Sequence, residues 1–467
     1  MIRTLLKLVV FMIAFNAMGQ NSLEAVIKNA ENKTPLLGAN AIIEETSIGA
    51  TANLDGQITL KNIPDGTYKI IFSFVGFVSE EVTLNFPRET NDTLQIYLQP
   101  GGEEMEEIFI QSTRSRRTIA DLPTRVEVIS GEELTEKGNM KPGDIRMLLN
   151  ETTGIQTQQT SAISGNSSIR IQGLDGKYTQ LLKDGYPLYS GFSGGLSLLQ
   201  IVPLDLKQVE VIKGSSSTLY GGGAIAGLVN LISKTPGEQR ELNFMLNATS
   251  ALGVDVSAFY SDTYGKLSST VFASYNLGSP YDPADIGLTA IPEFNRYTVN
   301  PRIFYEFSEN TKLNVGVNKT VEERTGGNID FLEGEDVEDP FFEKNSTNRT
   351  TLQSGLEHFW NGNNRLNLKT SFSFFDREIE TGDFTFAGNQ LASYNEASVV
   401  FGSEKMEWIG GVNLWVDRFE QDVLTDAPVV DYEHLTYGAF IQNNWSASNW
   451  FQLETGLRTD YQNEYGW

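Results

Sequence analysis

The segment Val209–Pro236, VEVIKGSSSTLYGGGAIAGLVNLISKTP, sets three consecutive glycines behind a strand-like run, Val209–Ile212. A nucleotide-binding loop needs a helix after its glycines, because the helix N-terminus supplies free N–H groups and the positive end of a dipole. Leu228–Ser233 follows instead, a short apolar run with Val229 and Ile232 that reads as a second strand. No Lys-Ser/Thr pair closes the loop, which also excludes a P-loop. Gly221, Gly222, Gly223 and Gly227 therefore read as structural positions where backbone packs closely on backbone. The rest of the chain has to say what they pack against.

The 467 residues carry a formal charge of −25 with only 20% charged residues, which argues against a nucleic-acid partner. There is no cysteine, and the two histidines, His358 and His434, stand far apart, so neither a thiolate metal site nor a His-rich haem or zinc site is expected. No nucleophile–base pair and no Gly-x-Ser-x-Gly elbow is found, so the chain does not read as an enzyme, and no cofactor or metal is expected. Abundant glycine and aromatics with few prolines suit extended structure.

Residues 1–19 read as a secretory signal peptide. Arg3 and Lys7 precede an apolar core, Leu8–Phe15, and Ala17-Met18-Gly19 offers small residues at a cleavage site before Gln20. No later stretch reaches the roughly 18 apolar residues of a membrane helix, so a membrane-spanning mature chain would have to be a β-barrel. Residues 20–99 alternate short strands with turns such as Asn53-Leu54-Asp55-Gly56 and Pro64-Asp65-Gly66-Thr67, where Asp is expected to bond its own backbone. A small β-sandwich is predicted. Residues 100–113 form an acidic linker with four Glu in five positions, expected to be solvated, that ends on the apolar Ile108-Phe109-Ile110. Residues 114–235 read as a small α/β domain. A strand is predicted at Val126–Ile129, a helix at Pro142–Leu149, and strands at Ser168–Gln172, Gln180–Lys183, Val209–Lys213 and Leu228–Ser233.

From residue 236 to 467 the pattern becomes about eleven amphipathic strands of roughly ten residues, the length a tilted transmembrane strand needs. In KLNVGVNKT, Leu313, Val315 and Val317 face one way and Lys312, Asn314 and Gly316 the other. Short turns near Asp262–Tyr264, Ser308–Asn310, Asn361–Asn363, Ser403-Glu404 and Ser446–Ser448 alternate with long loops near Leu277–Arg296, Arg324–Ser346, Arg377–Gln390 and Asp417–Glu433. Alternation of this kind separates a membrane barrel from a soluble sandwich or propeller. Phe359-Trp360, Phe374-Phe375, Trp408, Trp415, Trp445 and Trp450 are expected to form aromatic girdles.

The fold class is thus mainly β: an N-terminal sandwich, a small α/β domain and a transmembrane antiparallel barrel. LPTRVEVISGEEL, LLNETTGIQTQQTSAISGNSSIRIQGLDGKYTQLLKDGYPLY and LKQVEVIKGSSSTLYGGGAIAGLVNLISK resemble, in order and spacing, the plug of the TonB-dependent outer-membrane receptors. ATANLDGQITLKNIPDGTYKIIFSFVGF resembles the carboxypeptidase regulatory-like (transthyretin-like) domain that Bacteroidetes-type receptors carry in front of the plug. The resemblance implies a Gram-negative outer-membrane receptor that imports a scarce bulky solute, with a ferric siderophore or similar iron complex as the leading candidate. It implies TonB, with ExbB and ExbD, and outer-membrane lipid as partners. Cobalamin or a glycan as cargo, and a non-transporting surface receptor or adhesin, stay open. The resemblance places the TonB box at Glu106, Glu107, Ile108, Phe109 and Ile110. It places ligand contacts at plug apices Gln158–Asn166 and Tyr189–Gly195, with Gln158, Gln159, Tyr189 and Phe192 as candidates. Family barrels have about 22 strands, so the chain is expected to hold half of one.

Overall fold

In the computed structural model the described residues are 21–30, 32–44, 46, 48–74, 77–88, 90, 92–99, 110–115, 126–188, 191–194, 196–361, 364–382, 384–403, 405–422, 428–448 and 450–467. The predicted signal peptide and most of the predicted linker lie outside them. The chain divides into two compact units, Met1–Ile108 and Phe109–Trp467.

The first unit is a sandwich. One sheet orders β4 (Gln57–Ile63), β1 (Asn21–Asn29) and β7 (Leu94–Leu98); the other orders β3 (Gly49–Thr51), β2 (Asn40–Ile43), β5 (Gly66–Ser73) and β6 (Glu80–Phe86). Alternate residues point inward, so Leu23, Ala25 and Ile27 of β1 meet Ile43, Ile70 and Phe72 in one core. The first predicted turn is capped differently from the expectation. Asn53 Oδ1, not Asp55, accepts the N–H groups of Asp55 and Gln57, at 3.0 and 2.9 Å. In the second turn Asp65 accepts from Asn21 Nδ2 at 2.8 Å.

The second unit begins with a five-stranded sheet ordered β12 (Tyr186–Pro187), β11 (Thr179–Lys183), β14 (Gly227–Ser233), β13 (Leu206–Lys213) and β8 (Val126–Ser130), with a hairpin β9 (Ile155–Gln159) and β10 (Ser167–Ile171). Both predicted strands around the glycine run are present, paired antiparallel from Leu206↔Ser233 to Lys213↔Gly227. The predicted helix Pro142–Leu149 is displaced. Asp144 accepts the backbone N–H and guanidinium of Arg146, which turns the chain, and the helix α2 (Arg146–Asn150) starts only after it. A helix the sequence reading missed, α1 (Gly131–Met140), precedes it. It buries only Leu134 and Gly138, too little for an apolar stripe. The available signal was Glu132 and Glu133 in its first turn and Lys137 in its last, which complement the helix dipole.

Eleven antiparallel strands then follow in sequence order as one sheet: β15 (Glu241–Ala248), β16 (Val254–Tyr264), β17 (Leu267–Gly278), β18 (Glu293–Ser308), β19 (Thr311–Gly327), β20 (Phe342–Trp360), β21 (Asn364–Thr381), β22 (Phe384–Gly402), β23 (Met406–Asp422), β24 (Tyr432–Ser448) and β25 (Phe451–Gln462). Its polarity is inverted relative to a soluble protein. Leu242, Phe244 and Leu246 are 56–76% exposed on the outer face, while Arg296, Glu322, Arg324, Asn345, Arg349 and Glu396 are at most 5% exposed inside. A wall with an apolar exterior and a polar, paired interior is what lipid on one side and a filled lumen on the other select.

The strands β18–β23 run 16 to 19 residues, not the expected ten. Nineteen residues at about 3.4 Å each make ~65 Å of strand, far more than the ~25 Å apolar band. Apolar alternation marks only the part in lipid; backbone pairing carries on beyond it. For the same reason the predicted long loop Arg377–Gln390 does not exist. β21 and β22 stay paired up to Thr381↔Phe384. The connections 279–292 and 328–341 are long. Two girdle assignments are also corrected. Phe375 is 2% exposed and faces the lumen, and Trp415 packs edge-on to Tyr394 inside the wall at 4.9 Å.

Candidate functional site

Glu106, Glu107, Ile108 and Phe109 lie outside the described residues, but the chain directly after them is well placed. Ile110 is 1% exposed and Ser112–Ser115 are buried. The expectation of a solvated linker up to Thr113 therefore fails for this stretch. Glu210, fully buried on β13, is the reason. Its two carboxylate oxygens accept the backbone N–H groups of Gln111 and Ser112, each at 2.8 Å, while Gln208 and Asn230 donate to the same carboxylate. Tyr220 Oη donates to the Ser112 carbonyl at 2.7 Å. A buried carboxylate with four donors is satisfied, and it fixes a segment that has little apolar mass of its own. Sequence inspection had no means to pair residues 111 and 210.

Arg114 ties the same segment to the wall. Its guanidinium pairs with Glu396 of β22 at 2.5 Å, donates to the Leu219 carbonyl at 2.9 Å and lies over the rings of Tyr220 and Phe440. Ser115 Oγ donates to Glu407 at 2.6 Å, and Arg365 donates to the Arg114 carbonyl at 3.1 Å. These contacts sit toward the short-turn end of the wall, since Arg365 is the second residue of β21.

The predicted apices sit at the opposite end. The β9–β10 hairpin reaches the top of β19 and β20, where Ser161 Oγ donates to Glu343 at 3.3 Å. Gln158 and Gln159 are exposed there, and Gln159 Nε2 bonds the Ser161 carbonyl. Phe192 is half-buried in a cluster with Phe375, Phe386 and Phe419, at 4.7 to 5.8 Å between ring centroids. Tyr189 lies outside the described residues.

The glycines divide by geometry. Gly221 has φ 78°, and Gly227 has φ 139° with any Cβ directed onto the Ile212 carbonyl oxygen of the paired strand. A Cβ on Gly222 meets nothing, and one on Gly223 meets only the Gln180 side-chain oxygen, at 2.8 Å.

Polar clamps hold this domain against β18–β20 of the wall. Arg296 donates to the carbonyls of Leu199 and Gly143. Asp205 takes Lys183 at 2.7 Å and Asn300 at 3.2 Å, and Gln200 donates to Glu322 and Thr347. Asp184, in the β11–β12 turn, bonds Ser233 and pairs with Arg302 at 3.1 Å. Burial pushes the Asp184 carboxyl upward, but Arg302 and Lys183 outweigh it and hold it below the usual carboxylate range. Among the described residues no group of three or more His, Asp or Glu side chains is arranged to hold a metal.

Residues 118–228 match the model of the TonB-dependent receptor plug domain, and residues 24–110 match that of the CarboxypepD_reg-like domain. The chain thus carries the plug domain of the TonB-dependent receptors, preceded by a CarboxypepD_reg-like domain. The α/β domain is that plug, and the eleven strands share the fold of the barrel wall in the solved receptors. TonB-dependent receptor P3 of Formosa agariphila is 24% identical over 275 residues, covering 58% of this chain and 26% of that protein. The ferrioxamine B receptor of Salmonella typhimurium is 24% identical over 280 residues, covering 55% of this chain and 38% of that protein. The chain thus spans well under half the length of these curated relatives. The solved structure of the siderophore receptor PirA from Acinetobacter baumannii superposes with a TM-score of 0.61 at 19% identity, over 77% of this chain and 59% of that one.

Proposed function

We propose that this TonB-dependent receptor imports a scarce, bulky solute across the outer membrane, with a ferric siderophore or similar iron complex as cargo. TonB, with ExbB and ExbD behind it, would drive import by pulling on Glu106–Ile110. The observation that supports this reading is the anchoring of residues 110–115. The proposed coupling strand runs straight into a segment gripped by plug residues Glu210 and Tyr220 and by wall residue Glu396. Force applied there is delivered to the plug–wall seam, at the end opposite the apices. Gln158, Gln159 and Phe192 at those apices, with Tyr189, are the proposed ligand contacts. The similarity to a ferrioxamine B receptor favours an iron complex as the class of cargo.

The test is expression and uptake of the full-length protein. Induction by an iron chelator and energy-dependent uptake of radiolabelled iron as ferrioxamine B are expected. Induction only by a change of carbon source, or uptake of cobalamin but not iron, would overturn the cargo assignment. Binding without uptake in energised cells would favour a non-transporting receptor.

A further inference from the structure

Toward the short-turn end of the wall, a cavity of about 540 Å³ lies between the plug and the wall. The strap formed by residues 110–115 borders it through Gln111 and Arg114, and the plug borders it through Asp184, Tyr186 and Ser233. Strands β17 to β22 supply the rest of the lining. Glu306 and Lys312 stand on its rim, about half exposed and paired at 2.8 Å, so the space opens to the side that the short turns face. A volume of this size takes a compact solute with part of its hydration shell.

The charges around the cavity do not balance. Arg114 pairs with Glu396, Arg302 with Asp184, Lys312 with Glu306 and Arg365 with Glu357. Lys369 is the cation left over. Among the described residues it forms no ion pair; its Nζ donates to the Asp184 carbonyl at 3.1 Å and lies over the Tyr186 ring at 5.2 Å. An ammonium carries three donors, and that carbonyl takes one of them. Three further polar atoms of the lining are buried without a hydrogen-bond partner. Glu396 Oε1 is on the residue directly opposite Lys369 in the β21–β22 ladder, Ser398 Oγ is one rung further along the same face, and Arg365 Nε is the third. Glu396 and Ser398 are only 5% and 1% exposed. Buried groups of this kind call for a partner. Water would satisfy their hydrogen bonds but would leave the charge of Lys369 without a counterion.

We propose that this cavity binds a compact oxyanion that keeps a hydroxyl, of the hydrogen-phosphate or hydroxycarboxylate kind, and that the bound anion fastens the strap. Its charge offsets Lys369, and its oxygens accept from Lys369 Nζ, Arg365 Nε and Ser398 Oγ. Its hydroxyl donates to Glu396 Oε1. An anion without a hydroxyl would set a lone pair against that carboxylate oxygen instead. The side chain of Gln111 reaches the same space from the strap, and its amide gives the anion a donor there, so that strap and wall are joined through the anion. The site lies at the end of the wall opposite the proposed cargo contacts. It sets how firmly the strap is held whatever the cargo is, and so goes beyond the import reading.

The test is hydrogen exchange of the Gln111 and Ser112 amides in the full-length receptor in detergent, at neutral pH and constant ionic strength. Glu210 holds both amides, so they exchange when the strap opens. An anion that binds only the fastened strap slows this exchange about tenfold at about ten times its dissociation constant. Phosphate is compared with sulfate and glycolate with acetate, because only the first of each pair carries an O–H. Slowing by phosphate and not sulfate assigns the phosphate kind; slowing by glycolate and not acetate assigns the hydroxycarboxylate kind. Lys369→Gln should abolish the slowing. Ser398→Ala removes a hydroxyl that has no partner in the protein. It should leave exchange without anion at the parental rate and raise the anion concentration needed several fold. Equal slowing by all four anions, or slowing that persists in Lys369→Gln, would be a general salt effect and would overturn the site. No slowing by either phosphate or glycolate would also overturn it. None of these measurements requires transport, so failure of iron uptake with the anion effect intact would count against the import reading alone.

Discussion

At the scale of the residue, two glycines five positions apart, Gly222 and Gly227, have different jobs. Gly227 sits in a β-ladder with φ 139°, and a side chain there would drive into the Ile212 carbonyl of β13. Gly227→Ala should therefore destabilise the plug by on the order of 3 kcal/mol, from strain and the opened ladder together. Gly222→Ala meets open space and should stay within about 0.5 kcal/mol of the parent. Trypsin digestion of outer membranes carrying the full-length receptor reads this out: rapid cleavage of the plug in the first variant, parental cleavage in the second. Equal resistance in both would show that β13 and β14 can shift to admit a Cβ.

At the scale of the element, the β11–β12 turn is a docking knob. Asp184 and Gly185 both have positive φ, at 54° and 74°, as a two-residue hairpin turn with Asp-Gly requires. The turn carries the Asp184 carboxylate to Ser233 within the plug and to Arg302 on β18, while its carbonyl takes Lys369 from β21. The Asp184 carboxyl is depressed in the folded state despite its burial, because Arg302 and Lys183 favour the anion. Its contribution is then fully present above the unfolded value of about 3.9. It is lost as pH falls through the lower folded value. Hydrogen exchange of the β11–β14 amides should be flat in protection between pH 5 and 8 and lose protection only in the acid range below about 4. Asp184→Asn should be less protected at neutral pH and lack that acid step. A parental protein that loosens between pH 7 and 5 would assign the response to some other group.

At the scale of the whole molecule, residues 110–115 are bonded both to the plug, through Glu210 and Tyr220, and to the wall, through Glu396. Ile108→Pro removes a backbone donor and fixes φ in the proposed coupling strand without changing charge. In the full-length receptor, cell-surface binding of the iron complex should stay near parental, because the apices lie at the other end of the wall. Uptake should fall to that of a strain lacking TonB. Normal uptake would place the coupling strand elsewhere. Loss of binding together with uptake would make this segment structural.

What the sequence determined by itself was local and periodic. Alternation in stretches such as KLNVGVNKT specified amphipathic strands, and the run after Gly227 specified a strand where a phosphate site would need a helix. The plug motifs fixed the family, because their order survives without long-range geometry. Strand length was not legible, since Arg377–Gln390 mixes Arg, Glu, Asp and two glycines with Ile379, Phe384 and Phe386, and pairing between β21 and β22 keeps it extended. Nor was the grip on the strap, because Glu210 and Gln111 are 99 positions apart. The docking of the β11–β12 turn was equally hidden, because Lys369 and the Asp184 carbonyl it donates to are 185 positions apart. Chain periodicity is set by local backbone geometry, but a buried polar contact exists only once folding has brought together partners that no local pattern encodes.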